Sequence, residues 1–121
     1  MPRNIIIVDD EPDLVKFSSY RLKYAGYDVV SASDAETALE MMRSNVPDLV
    51  FLDVHLPGMS GYDLCKIIKN DEALKKICVI FFSATSQLDE IEQKIKELNA
   101  QGYVRKPFEP HELLDAAKKC L

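Results

Sequence analysis

The chain has 121 residues, 47% hydrophobic and 29% charged, with a net charge of −5 from 15 basic and 20 acidic side chains. That length and balance suit one folded domain rather than a disordered chain. The negative surface repels a phosphate backbone and an anionic lipid face, which argues against direct nucleic-acid or membrane binding, and no apolar stretch nears the roughly 20 residues of a spanning helix.

Ile5-Ile6-Ile7-Val8 is short, β-branched and apolar on both faces, the pattern of a buried parallel strand. It stops at two aspartates and is too short for a signal peptide. Leu14, Val15, Ser18, Leu22 and Ala25 then make a helical stripe, and Gly26 stands where a C-cap belongs. Residues 27–30 read as a second strand. Ser33-Asp34-Ala35-Glu36 has capping-box spacing ahead of a helix carrying Ala38, Leu39 and Met42. Leu49-Val50-Phe51-Leu52 is a third strand, and Gly61 precedes a helix with Leu64, Ile67 and Ile68. Residues 78–82 are a fourth strand, and Leu88, Ile91, Ile95 and Leu98 share one helical face as core residues. Tyr103-Val104-Arg105 is a short fifth strand, and Pro110 opens a last helix with Leu113, Leu114 and Ala117.

The alternation is (βα)5. It predicts an α/β three-layer sandwich, a parallel five-stranded sheet with helices on both faces. Right-handed crossovers leave few topologies, of which the flavodoxin-like order 2-1-3-4-5 is the expected one. Cys65, Cys78 and Cys120 are odd in number, far apart and without metal-ligand spacing. They read as free, buried or half-buried thiols in a reducing, cytoplasmic setting.

The polar residues that end the apolar strands are the informative feature. Strand 1 leads into Asp9-Asp10, strand 3 into Asp53, strand 4 into Ser83 and strand 5 into Lys106. In a parallel sheet these ends share one edge, and ligands bind there where the strand order reverses. Singly, each residue has a plain structural role: Asp10 or Glu11 as a helix cap, Asp53 opening a turn, Ser83 as a cap, Lys106 in solvent. Together they make a constellation. Three crowded carboxylates repel one another and favour a cation. An all-oxygen set suits Mg²⁺, which takes one or two carboxylates and bridges to a phosphate. Lys106 and Ser83 offer a positive charge and a donor to phosphoryl oxygens.

These residues resemble the receiver domain of two-component response regulators, along essentially the whole chain. The resemblance rests on Val8-Asp9-Asp10-Glu11, on the ten residues from Leu52-Asp53-Val54-His55 through Pro57-Gly58 to Gly61, on Phe82-Ser83-Ala84, and on Tyr103-Val104-Arg105-Lys106-Pro107-Phe108. It implies a single receiver domain over residues 1–121, with Asp53 as phosphoacceptor. It implies Asp9 and Asp10 as the acid pair for Mg²⁺, Asp10 the more direct ligand, joined by Asp53 and the backbone carbonyl of His55. Ser83 and Tyr103 take the switch positions, and Lys106 pairs with the acceptor and its phosphoryl group. His55 and Thr85 hold the positions that tune the lifetime of the acyl phosphate, His55 being equally readable as an exposed loop residue. The Lys106–Pro107 bond is implied to be cis.

The implied function is Mg²⁺-dependent acceptance of a phosphoryl group from a sensor histidine kinase or phosphotransfer protein. The helix 4–strand 5–helix 5 surface then changes for a downstream protein, and the chain is a monomer or a phosphorylation-dependent dimer. On this reading the domain is not an enzyme, although it assists its own phosphorylation and dephosphorylation. The alternative is a receiver-shaped binding module that is never phosphorylated, and neither the acids nor the lysine are missing as that would suggest. An aspartyl phosphohydrolase would carry a second acid where His55 stands. A flavin-binding protein would carry a phosphate-cradling loop where Asp9-Asp10-Glu11-Pro12 stands. Gln101-Gly102 departs from the acidic residues common before the switch aromatic, which bears on the loop's shape. Met1 and the short lead-in suggest a natural N-terminus, while the end at Leu121 fits either a stand-alone receiver or a piece of a longer protein.

Overall fold

The structure is a computed structural model that describes residues 3–84, 86 and 88–121. Its elements alternate: β1 (Asn4–Val8), α1 (Pro12–Tyr24), β2 (Asp28–Ala32), α2 (Ala35–Ser44), β3 (Leu49–Asp53), α3 (Gly61–Lys69), β4 (Cys78–Ala84), α4 (Leu88–Leu98), β5 (Gly102–Lys106) and α5 (Pro110–Cys120). The five strands form one sheet in the order β2-β1-β3-β4-β5, all pairs parallel. This is the flavodoxin-like three-layer arrangement that the sequence pattern predicts.

The period-2 geometry of strands sorts the core into two layers. Ile6 and Val8 of β1, Val50 and Leu52 of β3, and Val79 and Phe81 of β4 pack with Ala38, Leu64 and Ile91 of α2, α3 and α4. The alternate residues, Ile5, Ile7, Leu49, Phe51, Ile80 and Phe82, pack with Leu22 of α1 and Leu113 of α5. Both faces are covered, so β1 is apolar from Ile5 to Val8 and β3 from Leu49 to Leu52. Of the α4 stripe, Ile91 is buried and Ile95 and Leu98 pack against the same layer, whereas Leu88 is only half-buried.

Several boundaries differ from the sequence expectation for local reasons. β2 starts one residue later and runs to Ala32, because its pairing with β1 continues to Val8↔Ala32. α2 is capped by Asp34 rather than Ser33: its Oδ1 accepts the Thr37 N–H at 2.7 Å. Gly26 follows the α1 C-cap Ala25 at φ +103°, the left-handed position glycine takes most readily. β4 runs through Ser83 to Ala84, held by Ser83↔Arg105 and Ala84↔Lys106 pairing. α5 carries a capping box between Glu109 and Glu112 that the sequence reading did not identify.

The cysteine expectation is corrected. Cys65 is a buried free thiol, but Cys78 and Cys120 form a disulfide. They are 42 apart in sequence, yet β4 begins and α5 ends at the same edge of the sheet, which brings their Cα atoms to 6.0 Å. Spacing in the chain could not reveal that proximity.

Gln101, whose presence put the β5 entry loop in question, is what organises it. Its Oε1 accepts the Val79 N–H at 2.7 Å and the Lys69 ammonium at 3.2 Å, and its Nε2 donates to the Asn99 carbonyl at 3.0 Å. Lys69 also donates to the Ile77 carbonyl at 2.6 Å. The side chain thus stitches α3, β4 and the α4–β5 turn together. Gln101→Ala removes the acceptor for a main-chain donor at the start of β4 and is expected to lower the unfolding free energy by about 1–2 kcal/mol. Urea denaturation checks this; an unchanged midpoint would mean that solvent replaces the bond.

Candidate functional site

The C-terminal edge of the sheet gathers the polar residues. Asp53 is the last residue of β3, Ser83 is the last but one of β4, and Lys106 is the last of β5. Asp9 and Asp10 come directly after β1. The backbone holds these positions firmly: the Asp9 N–H donates to the Ala32 carbonyl at 3.1 Å, and the Val54 N–H to the Phe82 carbonyl at 3.3 Å. By strand alternation Asp9, Asp53 and Lys106 fall on the α1/α5 side of the sheet. Ser83 and Tyr103 fall on the α4 side, with Tyr103 packed against that core layer.

Lys106 is the centre of the cluster. Its ammonium is 2.9 Å from Asp9 Oδ2, 2.9 Å from Glu11 Oε1 and 3.4 Å from Asp53 Oδ1. Burial works against its charge, but the hydrogen bonds to Asp9 and Glu11 and the charges of Asp53 and Asp9 outweigh it, and the ammonium is held above its ordinary value. Asp53 is also displaced. Its burial and the neighbouring Asp9 charge raise its carboxyl above 3.8, only partly offset by Lys106 and by the His55 N–H, which donates to Oδ1 at 3.3 Å. That last bond is the Asp-led turn anticipated from the sequence, so the turn role and the site role coexist in one side chain.

Asp9 is 2% exposed. Its Oδ1 accepts the Glu11 N–H at 2.9 Å. Its Oδ2 is buried and lies 2.9 Å from the Lys106 ammonium. One carboxylate oxygen each from Asp9, Asp10 and Asp53 lies within 4.8 Å of the others. A buried carboxylate oxygen with spare acceptor capacity, inside an all-oxygen cluster of this size, fits a hard divalent cation.

Ser83, Tyr103 and His55 are the described residues expected at the switch and rate-tuning positions. Ser83 is buried, and its hydroxyl donates to the Ala84 carbonyl at 3.2 Å. It comes after Phe82, the ladder partner of Asp53, so it stands beside the acid cluster on the other face. Tyr103 is half-buried and its hydroxyl donates to Glu92 on α4 at 3.4 Å. His55 is exposed, two residues after Asp53. Thr85 lies outside the described residues. The Lys106–Pro107 bond is cis.

Two contributors were not identified from sequence. Glu11 is the N-cap residue of α1 but makes no side-chain cap; its carboxylate reaches Lys106 across 95 positions of chain. Gly61, the first residue of α3, donates its N–H to the Val54 carbonyl at 2.8 Å. A Cβ there would overlap the Asp53 carbonyl oxygen. The only sequence hint was a glycine at the head of a helix. On α1, Phe17, Tyr20 and Tyr24 form an exposed aromatic stripe, with Arg21 over the Phe17 ring.

A doubly wound parallel sheet with acids and a lysine at its switch edge defines a class of ligand-binding α/β folds. Similarity to known proteins narrows it. Residues 5–118 match the response regulator receiver domain family, and the chain belongs to that family, the receivers of two-component signalling. PhoP, the alkaline phosphatase synthesis transcriptional regulatory protein of Bacillus subtilis (strain 168), is 36% identical over 122 residues, covering 100% of this chain and 49% of its own. The DNA-binding response regulator MtrA of Mycolicibacterium smegmatis is 35% identical over 94% of this chain and 48% of its own. The chain spans about half the length of these curated relatives. Among solved structures, the chemotaxis response regulator CheY4 of Vibrio cholerae superposes with a TM-score of 0.92 at 27% identity over 100% of each chain. The receiver domain of NtrX from Brucella abortus gives 0.90 at 29% identity over 97% of each.

This geometry sets expectations for two substitutions. Gly61→Ala forces the α3 start away from the Asp53 carbonyl and is expected to destabilise the fold by about 1–3 kcal/mol, measured by denaturant midpoint. The charged form of Asp53 costs stability, because its native carboxyl sits above the unfolded value. That penalty is full above the raised value and is relieved as the pH falls toward 3.8, since the native state takes up the proton first. Asp53→Asn should therefore stabilise the metal-free protein at pH 7. The difference should shrink steadily on acidification and vanish below about pH 4. A difference independent of pH would exclude this cause.

Proposed function

We propose that residues 1–121 form one receiver domain in which Asp53 accepts a phosphoryl group from a phosphohistidine of a kinase or phosphotransfer protein. The observation that carries this reading is the position of Asp53: a buried carboxylate ending the central strand, with Lys106 at 3.4 Å and the Asp9–Asp10 pair within 4.8 Å. Asp9, Asp10 and Asp53 would hold Mg²⁺ together with the backbone carbonyl of His55. When bound, that ion supplies positive charge beside the phosphoryl oxygens.

The remaining chemistry belongs to the chain. One Asp53 oxygen attacks phosphorus in line as the bond to the donor nitrogen breaks, leaving an acyl phosphate on Asp53 and returning the electron pair to the donor imidazole. The sheet keeps Asp53 in fixed alignment, so little reorganisation is needed at the moment of transfer. Lys106, already drawn between carboxylates, exchanges its Asp53 contact for a phosphoryl oxygen. His55, exposed two residues after Asp53, and Thr85 tune the access of water to the acyl phosphate.

Ser83 would then release the Ala84 carbonyl and donate to a phosphoryl oxygen. Tyr103, with only a long bond to Glu92, would leave α4 and turn toward the vacated space. The change emerges on the α4–β5–α5 surface, where a downstream protein or a second copy of the chain binds. Phosphorylation need shift such an equilibrium by only a few kcal/mol. The acidic surface, the absence of a helix long and apolar enough to cross a membrane among the described residues, and kinship with receivers support a cytoplasmic domain that acts through protein partners.

Incubation with acetyl phosphate and Mg²⁺, then intact mass measurement, tests the reading. One added phosphoryl group is expected on the wild type, none on Asp53→Asn and none in chelator. An equal adduct on Asp53→Asn would place the acceptor elsewhere, and no adduct with any donor would favour the unphosphorylated binding module.

A further inference from the structure

The sheet edge opposite the acid cluster carries the Cys78–Cys120 pair. Cys78 is the first residue of β4 and Cys120 the last of α5, with Cα atoms 6.0 Å apart. A cleft of about 810 Å³ is lined by both cysteines together with Lys76, Tyr103 and Lys119. A second, of about 320 Å³, is lined by both again, with Arg3 and Lys76. Both clefts thus reach the pair, at half-buried Cys120 and buried Cys78. Lys76, Lys119 and Arg3 line these clefts with the cysteines, as do Glu112, Asp115 and Asp48. Cys65 is a poor competitor: it is buried within α3, and burial pushes its thiol up to about 11.

In a reducing compartment a disulfide between reagent-accessible cysteines serves regulation rather than permanent stability. We propose that Cys78 and Cys120 are a reversible thiol–disulfide couple that clamps the end of α5 to the start of β4, taking a small disulfide such as oxidised glutathione as oxidant. The regulatory reading rests on the cytoplasmic placement proposed above; the couple itself does not depend on phosphorylation. The Cys120 thiolate, the more exposed of the two, attacks one sulfur of the oxidant and releases one glutathione thiolate. The Cys78 thiolate then attacks the Cys120 sulfur of the mixed disulfide, closing the protein bond and releasing the second. Two protein thiols are oxidised and one disulfide is reduced to two thiols. Because α5 is one side of the α4–β5–α5 surface, oxidation would restrain that surface from the pole opposite Asp53.

The full chain, without any phosphoryl donor, is equilibrated in glutathione buffers of graded ratio, quenched, denatured, alkylated and weighed. Three alkyl groups are expected at the reducing end and one at the oxidising end, through a single transition. Amide exchange in the last turn of α5 should be several-fold slower in the oxidised form. Cys65→Ser should keep that difference and Cys120→Ser should lose it. A pair that stays bonded in excess glutathione, a pair that never bonds, or α5 exchange equal in both forms would each overturn the proposal. None of these results bears on whether Asp53 is phosphorylated.

Discussion

Lys106 reaches Asp9 at 2.9 Å and Asp53 at 3.4 Å, and this one cation lets two buried carboxylates lie side by side. Unpaired, each would bear a desolvation cost of several kcal/mol. With a single ammonium for three acids, counting Glu11, neutralisation is incomplete. Burial and the Asp9 charge leave the Asp53 carboxyl raised, only partly offset by Lys106. The fold therefore carries an excess of negative charge at its switch edge, which a divalent cation, on the proposed reading, would offset.

On the proposed reading, the sheet's alternation would link that cluster to the α4 surface. Asp9, Asp53 and Lys106 share the α1/α5 side, while Ser83 and Tyr103 lie on the α4 side. Ser83 is adjacent in the ladder to the partner of Asp53 but is satisfied within its own strand by Ala84. A new acceptor at Asp53 would compete for that hydroxyl one pleat away. The distance between chemistry and surface is thus the thickness of a sheet. The Tyr103–Glu92 bond, at 3.4 Å, is weak enough to yield.

Much of this was legible in the sequence because parallel strands announce themselves as short apolar runs, and a parallel topology puts all their ends on one edge. That logic alone brings Asp9, Asp53, Ser83 and Lys106 to a common edge. Contacts that depend on where helices end were not legible. The Glu11–Lys106 pair spans 95 positions, the Cys78–Cys120 bond 42, and the Gln101 bonds join three elements through one amide. Reading Cys78 and Cys120 as free thiols failed for this reason: spacing along the chain does not show that α5 returns its last residue to the start of β4. Gly61 was visible only as a helix opener, because the closeness of the Asp53 carbonyl is a property of the loop's path.

The central claim is that the carboxylate cluster is a divalent-cation site centred on Asp53. Calorimetric titration of Mg²⁺ into the wild type and Asp53→Asn, at fixed ionic strength, tests it most directly. One saturable site on the wild type, with much weaker binding to Asp53→Asn, is the predicted result. Absence of binding to the wild type, or equal binding to both proteins, would contradict it.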